Sequence, residues 1–303
     1  LEQAMKLILW AAAFAAIAVA AAYGQTTSPA GASLQPATGP STATVPATAS
    51  APASAPGSAP ATATAPADVD PKAMAVLRGL QEAGQKYQTI KADIDYKVEL
   101  VQVGDEERRT GWVAYQAPAA AEAGRFRVSF DTLRMGNGPR TKALVDYIFD
   151  GQWLSVVKHD IRQVQRYQVA AEGEKVEPLK LGKGPFPMPF GQNADEVVRY
   201  FIVITRDLKS GEPAGTVYLK LTPRREKRDE MNFTRLEMWV NPQTNLPVRL
   251  VSEDKSENVT TVTFDKIETG KEVDAKLFVF QRPTGYEMNI TPLGGPAPPS
   301  KKP

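Results

Sequence analysis

Polar and apolar positions change their period along this chain, and each change marks an element. Ala73, Val76, Leu77, Leu80, Gly84 and Tyr87 recur at helical spacing behind Asp70-Pro71, which predicts a helix with an aspartate cap and proline in its first turn. From Ile90 the period becomes two. "IDYKVELVQV", a polar "GDEERR" turn, "GWVAYQ" and "RFRVSF" follow, and in the last of these Phe126, Val128 and Phe130 alternate with Arg125, Arg127 and Ser129. This is the pattern of half-buried strands. "VDYIFDGQWLSVV" sets Asp150-Gly151, a tight-turn dipeptide, between two apolar runs and predicts a hairpin. The alternation continues from Arg166 to Val169.

The pattern breaks at "GKGPFPMPFGQNADEVVRYF", whose prolines exclude both a central strand and an uninterrupted helix. Within it, Asn193 with Glu196 forms a capping-box signature, and Val197, Val198 and Phe201 make the apolar stripe of a second, short helix. Alternation returns in "TVYLKLTP", "FTRLEMWV", "LPVRLVSE", "NVTTVTF" and "LFVFQ", separated by polar turns. "LEMWVNPQTNLPVRL" is the clearest hairpin, with Leu236, Met238 and Val240 facing Leu246, Val248 and Leu250 across a turn-rich NPQTN. At least ten strands and two helices are expected, a mainly β (α+β) chain with one helix before the sheet and one inserted in its middle.

Composition then restricts where the core lies. Met5-Lys6 opens a basic segment before an apolar run from Leu7 to Ala22, which ends in Ala22-Tyr23-Gly24, a small-x-small cleavage pattern. The run falls short of the roughly 20 strongly apolar residues of a spanning helix, so residues 1–24 are read as a secretory signal peptide and the mature chain as periplasmic. Residues 25–67 are almost wholly Ala, Pro, Ser, Thr and Gly, a composition that buries too little apolar surface to offset chain entropy, and read as a disordered linker. The folded domain is placed at 68–291 and a Pro/Gly tail at 292–303. The chain has no cysteine, hence neither a disulfide nor an N-terminal lipid attachment on cysteine.

Charge and chemistry narrow the function classes. The net charge of the whole chain is +2, and within 68–291 basic and acidic residues balance. No basic excess of the kind a nucleic-acid binder carries is present. "PRREKRDE", from Pro223 to Glu230, interleaves both signs and reads as a solvated loop between strands. His159 is the only histidine, and adjacent Asp160 points the opposite way along a strand, so the two form no dyad. With no phosphate loop, nucleophile elbow or spaced metal carboxylates, the sequence predicts no enzyme, no metal and no cofactor.

One family's pattern is carried by several of these segments. Phe278 and Phe280, followed by Pro283 and Gly285, resemble the final strand of the LolA-type periplasmic carriers of outer-membrane lipoproteins. Asp254 with Thr260, Val262 and Phe264 resembles the strand after that family's acidic turn, Gly184 to Phe201 resembles its lid, and Asp150-Gly151 before Trp153 resembles its hairpin. The chain departs from the family at Ala117-Pro118, where the carriers place a basic latch residue before the proline, and an inserted "AAAEAG" follows. The resemblance implies a curved, unclosed antiparallel β-barrel with an N-terminal helix and an inserted helical lid over the concave face. It further implies a monomeric carrier of lipoprotein or lipid acyl chains, served by an inner-membrane lipoprotein-releasing transporter and an outer-membrane acceptor, with no nucleic acid.

On this reading the cavity wall and lid comprise Trp112, Phe126, Val128, Phe130, Trp153, Phe186, Met188, Phe190, Phe201, Leu219, Leu221, Leu236, Met238, Val248, Val262, Phe264, Phe278 and Phe280. An alternating apolar stripe is equally the signature of ordinary core. A second function on the same fold is an envelope sensor that reads lipid and signals to a protein partner.

Overall fold

The structure is a computed structural model, and it describes residues 69–119, 123–171, 173–174, 181 and 190–293. The signal peptide, the linker, most of the tail, and Phe186 and Met188 of the expected lid lie outside the described residues.

Helix α1 (Pro71–Lys86) begins as its sequence predicts, with the Asp70 carboxylate accepting from the Lys72 N–H at 2.9 Å. It buries Ala73, Met74, Leu77, Gly79, Leu80 and Ala83. Strands β1 (Thr89–Leu100), β2 (Asp105–Gln116), β3 (Arg125–Met135), β4 (Thr141–Phe149), β5 (Trp153–Lys158) and β6 (Gln163–Gln168) then step outward as an antiparallel meander. Helix α2 (Ala194–Tyr200) starts the return, its N-cap Asn193 accepting from the Glu196 N–H at 3.0 Å.

The chain re-enters the sheet at the opposite edge. Strands β7 (Phe201–Arg206), β8 (Val217–Pro223), β9 (Phe233–Asn241), β10 (Leu246–Asp254) and β11 (Val259–Thr269) work back inward until β11 pairs with β1. The last strand, β12 (Glu287–Thr291), adds to β6 in parallel. The order β12-β6-β5-β4-β3-β2-β1-β11-β10-β9-β8-β7 leaves β12 and β7 unjoined, so the twelve strands make one curved, unclosed sheet.

Three sequence expectations are corrected. The "LFVFQ" segment is not a strand. It forms a 3-10 helix over Ala275–Phe278 and then a loop, and the terminal strand lies further on at Glu287. "GDEERR" is not wholly a turn either. The turn ends at Gly104, and Asp105 to Arg109 already pair with β1, which extends β2 to twelve residues. The "PRREKRDE" loop is as solvated as its charges require, but contains a 3-10 helix, Arg225–Glu230, with no buried residue.

Side chains of registered partners share a face. The face that carries α1 and α2 is called inner here, and two apolar clusters lie on it. One joins Ile94, Tyr96, Val98, Tyr115, Phe126, Val128, Phe130, Tyr147 and Phe149 on β1 to β4. The other joins Leu77, Leu80, Val197, Val198 and Phe201 to Leu219, Leu221, Leu236 and Met238. The outer face is charged over β1, β2, β9 and β10, with pairs such as Arg108–Asp95 and Arg235–Glu253. Over β3 to β6 it is covered by the C-terminal segment.

Candidate functional site

The inner face is built from the alternation read in the sequence, and it collects much of the expected wall. Phe126, Val128 and Phe130 enter from β3; Leu219 and Leu221 from β8; Leu236 and Met238 from β9. All seven are buried in the described fold. Phe126 stacks on Phe149 at 5.4 Å between ring centroids, and Phe130 meets Tyr96 at 5.5 Å and Tyr147 at 6.1 Å. Phe201 is the first residue of β7 rather than part of a helix stripe, and it stacks nearly parallel on Phe233 at 5.8 Å.

Phe190 reaches the first cluster, with its ring edge-on to Tyr115 at 6.0 Å. The segment that brings it there is tied to α1. Gly191 N–H donates to the Leu80 carbonyl at 3.2 Å, and Ala194 N–H donates to Gln81 Oε1 at 2.8 Å. The approach is close enough to require glycine, since a Cβ on Gly84 would lie 2.2 Å from Gly191 Cα.

Val262 and Phe264 sit where the two clusters meet. They lie on β11, opposite Tyr96 and Ile94 of β1, in the middle of the strand order. Both pack against both clusters, yet both remain only half-buried. Ile90 and Val113 on the neighbouring strands, and Ile267 further along β11, are also half-buried. The central inner face is therefore an apolar seam with incomplete cover, flanked by two packed regions.

Five expected wall residues stand elsewhere. Trp112 alternates with the inward Gly111 and Val113, so it faces out, with the Arg127 guanidinium 5.5 Å and the Lys91 ammonium 6.0 Å from its ring. Trp153 also faces out, and Arg166 lies 4.9 Å from its ring centroid and 4.9 Å from that of Phe280. Phe278 is fully buried against the outer side, with Arg125 5.9 Å from its ring. Phe278 and Phe280 share a cause: the C-terminal segment folds over the outside of β3 to β6 instead of forming an inner strand. Val248 is the extra residue of a bulge between Pro247 and Arg249, which interrupts the alternation its hairpin predicts.

Polar groups also enter the inner face, and the sequence reading missed them because it assigned them to a turn. Glu107 pairs with Val98, and Arg109 with Tyr96, so both point inward. Arg109 Nε donates to Glu107 Oε1, and the two side chains are 10% and 4% exposed. Burial raises the Glu107 carboxyl above its ordinary range, opposed by Arg109. Lys158 enters from β5, opposite inward Val145; burial, then the nearby Arg109, hold its ammonium below the usual lysine value. The phenols of Tyr96 and Tyr147 are pushed up, chiefly by burial. A visible signal existed: the alternation of Val113 and Tyr115, continued backwards, reaches Gly111, Arg109 and Glu107.

On the outer face His159 has a partner other than Asp160. Its Nε2 lies 2.9 Å from Asp146 Oδ2, and its Nδ1 lies 3.0 Å from the Tyr286 hydroxyl. Arg127 holds the other oxygen of Asp146 at 3.1 Å. A neutral imidazole meets both contacts by donating from Nε2 and accepting at Nδ1. The arrangement clasps the C-terminal segment to β4. Among the described residues no group of three His, Asp or Glu side chains is placed to hold a metal ion.

No protein-family model matches the chain, and no curated protein matches it. Solved structures similar to it include a LolA superfamily protein from Nitrosomonas europaea, 13% identical, covering 69% of this chain and 97% of that one with a TM-score of 0.33. The lipoprotein LppX of Mycobacterium tuberculosis is 10% identical, with 68% of this chain and 100% of that one covered and a TM-score of 0.37. The Pseudomonas aeruginosa MucA/MucB complex contains a chain 16% identical, with 68% and 60% covered and a TM-score of 0.37. At such identities these likenesses carry nothing about ligand or partner.

Proposed function

We propose that the domain is a periplasmic carrier that binds the acyl chains of lipoproteins or lipids against the inner face of the sheet and conveys them towards the outer membrane. The observation that carries this reading is the half-covered apolar seam of Ile90, Val113, Val262, Phe264 and Ile267 between two packed clusters. Water-exposed apolar surface of this kind is stabilised by an acyl chain at about 0.8 kcal/mol per methylene buried, without covalent chemistry. The export signal, the long linker and the resemblance of Gly184 to Phe201 to a carrier's lid agree with it. Phe190 is the lid residue already seated against the first cluster.

The partners on this reading are a lipoprotein-releasing transporter at the inner membrane and an acceptor at the outer membrane. Native mass spectrometry of the chain purified from an envelope fraction, followed by lipid extraction, tests it. Acyl adducts that are lost on extraction and regained on adding lipid are expected. A homogeneous apo protein that takes up no acyl ligand contradicts the proposal.

A second reading, an envelope sensor, draws on a different feature. Among the described residues strand β7 is an edge with no further strand beside it, and its outward Ile202 and Ile204 are 49% and 47% exposed. Exposed apolar edge strands are sites of strand addition by a protein partner. A membrane-bound regulator recovered with the wild-type chain, and lost on Ile204→Lys, would favour the sensor.

A further inference from the structure

The outer face of β9, β10, β11, β1 and β2 carries a trough of about 560 Å³, on the reverse of the strands that bear the apolar seam. Its floor is three small β-branched side chains, Val251, Thr261 and Thr263, and longer side chains on the strands to either side make its walls. Alternation produces it: Leu250, Val262 and Tyr96 point inward, so their neighbours along the same strands point out. The volume is in the range of small-molecule sites.

Of the ions that line it, Asp95, Arg108 and Lys97 are already paired. The Asp95 oxygens accept from Arg108 Nε at 2.8 and 3.0 Å, and Lys97 is bonded to Glu99. Two neighbouring carboxylates are paired as well. Glu237, opposite Val251 on β9, lies 3.4 Å from Arg235. Asp93, opposite Asp265 on β1, takes the Lys266 ammonium at 2.8 Å, and Asp265 acts on that ammonium less strongly than Asp93 does. Two lining groups remain. Among the described residues neither the Arg249 guanidinium nor the Asp265 carboxylate has an ion pair or a side-chain hydrogen bond, and Arg249 Nε is buried without an acceptor.

The two do not meet each other either. Arg249 pairs in register with Thr263, two residues from Asp265, but its guanidinium is turned the other way, 5.7 Å from the ring of Trp239 on β9. Strand spacing puts the free cation and the free carboxylate on the order of 10 Å apart across β10 and β11. A singly charged ligand would gain from one of these groups and be repelled by the other, whereas a molecule with both charges gains from both. An extended tripeptide spans about 10 Å between its ammonium and its carboxylate. We propose that the trough binds a zwitterion of short-peptide size, with its carboxylate on Arg249, its ammonium on Asp265 and its chain over Val251, Thr261 and Thr263. The threonine hydroxyls, which can donate or accept, serve its amides. The site lies on the opposite face from the seam and is independent of the acyl-binding reading.

The test titrates the isotope-labelled full chain with three peptides and follows its N–H resonances by nuclear magnetic resonance. The peptides are trialanine, its N-acetyl form, which keeps only the carboxylate, and its C-terminal amide, which keeps only the ammonium. Saturable shifts are expected at residues 249–251 and 261–265. A charge-assisted hydrogen bond corresponds to roughly tenfold in affinity or more, so each blocked form should bind at least about tenfold more weakly than trialanine. Arg249→Gln should abolish the preference for trialanine over the amide and keep that over the acetyl form. Asp265→Asn should do the reverse. This exchange of preferences is a readout that a general loss of structure would not give.

No saturable shift at these residues overturns the proposal, as does equal affinity for the three peptides or a pair of preferences that survives both substitutions. Each of these outcomes leaves the carrier reading standing.

Discussion

Phe201 and Phe280 separate two kinds of aromatic residue that the sequence presents alike. Phe201 is 2% exposed and stacked on Phe233 in the second inner cluster. Truncation to alanine should cost about 3–5 kcal/mol in urea unfolding, the range for a ring removed from tight core. Phe280 is half-buried on the outer side against Arg166, and Phe280→Ala should cost clearly less. At the same scale, Glu212 makes a pH-dependent contribution. Arg206 grips its carboxylate from two nitrogens at 2.8 and 2.5 Å, which with the Lys209 N–H holds the carboxyl at about 2 against an ordinary 4.5. A depressed carboxyl stabilises the fold above its unfolded value, and that contribution is lost as pH falls from 4.5 towards 2. Thermal melts through this window should therefore fall less steeply in Glu212→Gln than in the wild type. Of the residue-scale picture, the alternation of Phe126, Val128 and Phe130 was readable because one face is buried along the whole of β3. The outward turn of Trp112 was readable too, but aromatic type overrode its parity with Val113.

At the scale of elements, the contact between α1 and the segment from Phe190 to Asn193 decides how the lid is held. Alanine is the better helix former, so Gly84→Ala would ordinarily gain up to about 1 kcal/mol. Here the added methyl meets Gly191 backbone atoms at 2.2 and 2.5 Å, and the clash outweighs propensity. A net loss of about 1–3 kcal/mol is expected in urea unfolding, together with faster amide exchange around Phe190. The C-terminal segment is held on the other side of the sheet by Phe278 and the His159–Tyr286 contact. Tyr286→Phe removes that hydrogen bond and should speed amide exchange in β12 while leaving the exchange of β1 unchanged. The helix starts were legible because Asp70 and Asn193 act locally on N–H groups two or three residues away. The C-terminal segment was misread as a strand because Phe278 and Phe280 alternate, whereas their burial comes from Arg125 and Arg166 on distant strands. Local pattern holds no record of such partners.

At the scale of the molecule, the sequence supplied a mainly β chain with two helices, but not the order of its strands. The chain starts in the middle of the sheet, builds to one edge, and resumes at the far edge so that β11 can close on β1. That arrangement places the half-covered Val262 and Phe264 between two clusters built from different parts of the sequence. The central claim is that an acyl chain lies there. A fatty acid carrying a diazirine in mid-chain, photolysed in complex with the full chain and mapped by peptide mass spectrometry, tests this most directly. Labelling is expected in 111–115, 236–240 and 260–267, which bear inward residues of the seam and its walls. Labelling confined to the outward Trp112 and Trp153 or to the β7 edge, or no labelling above that of the unfolded chain, would contradict it.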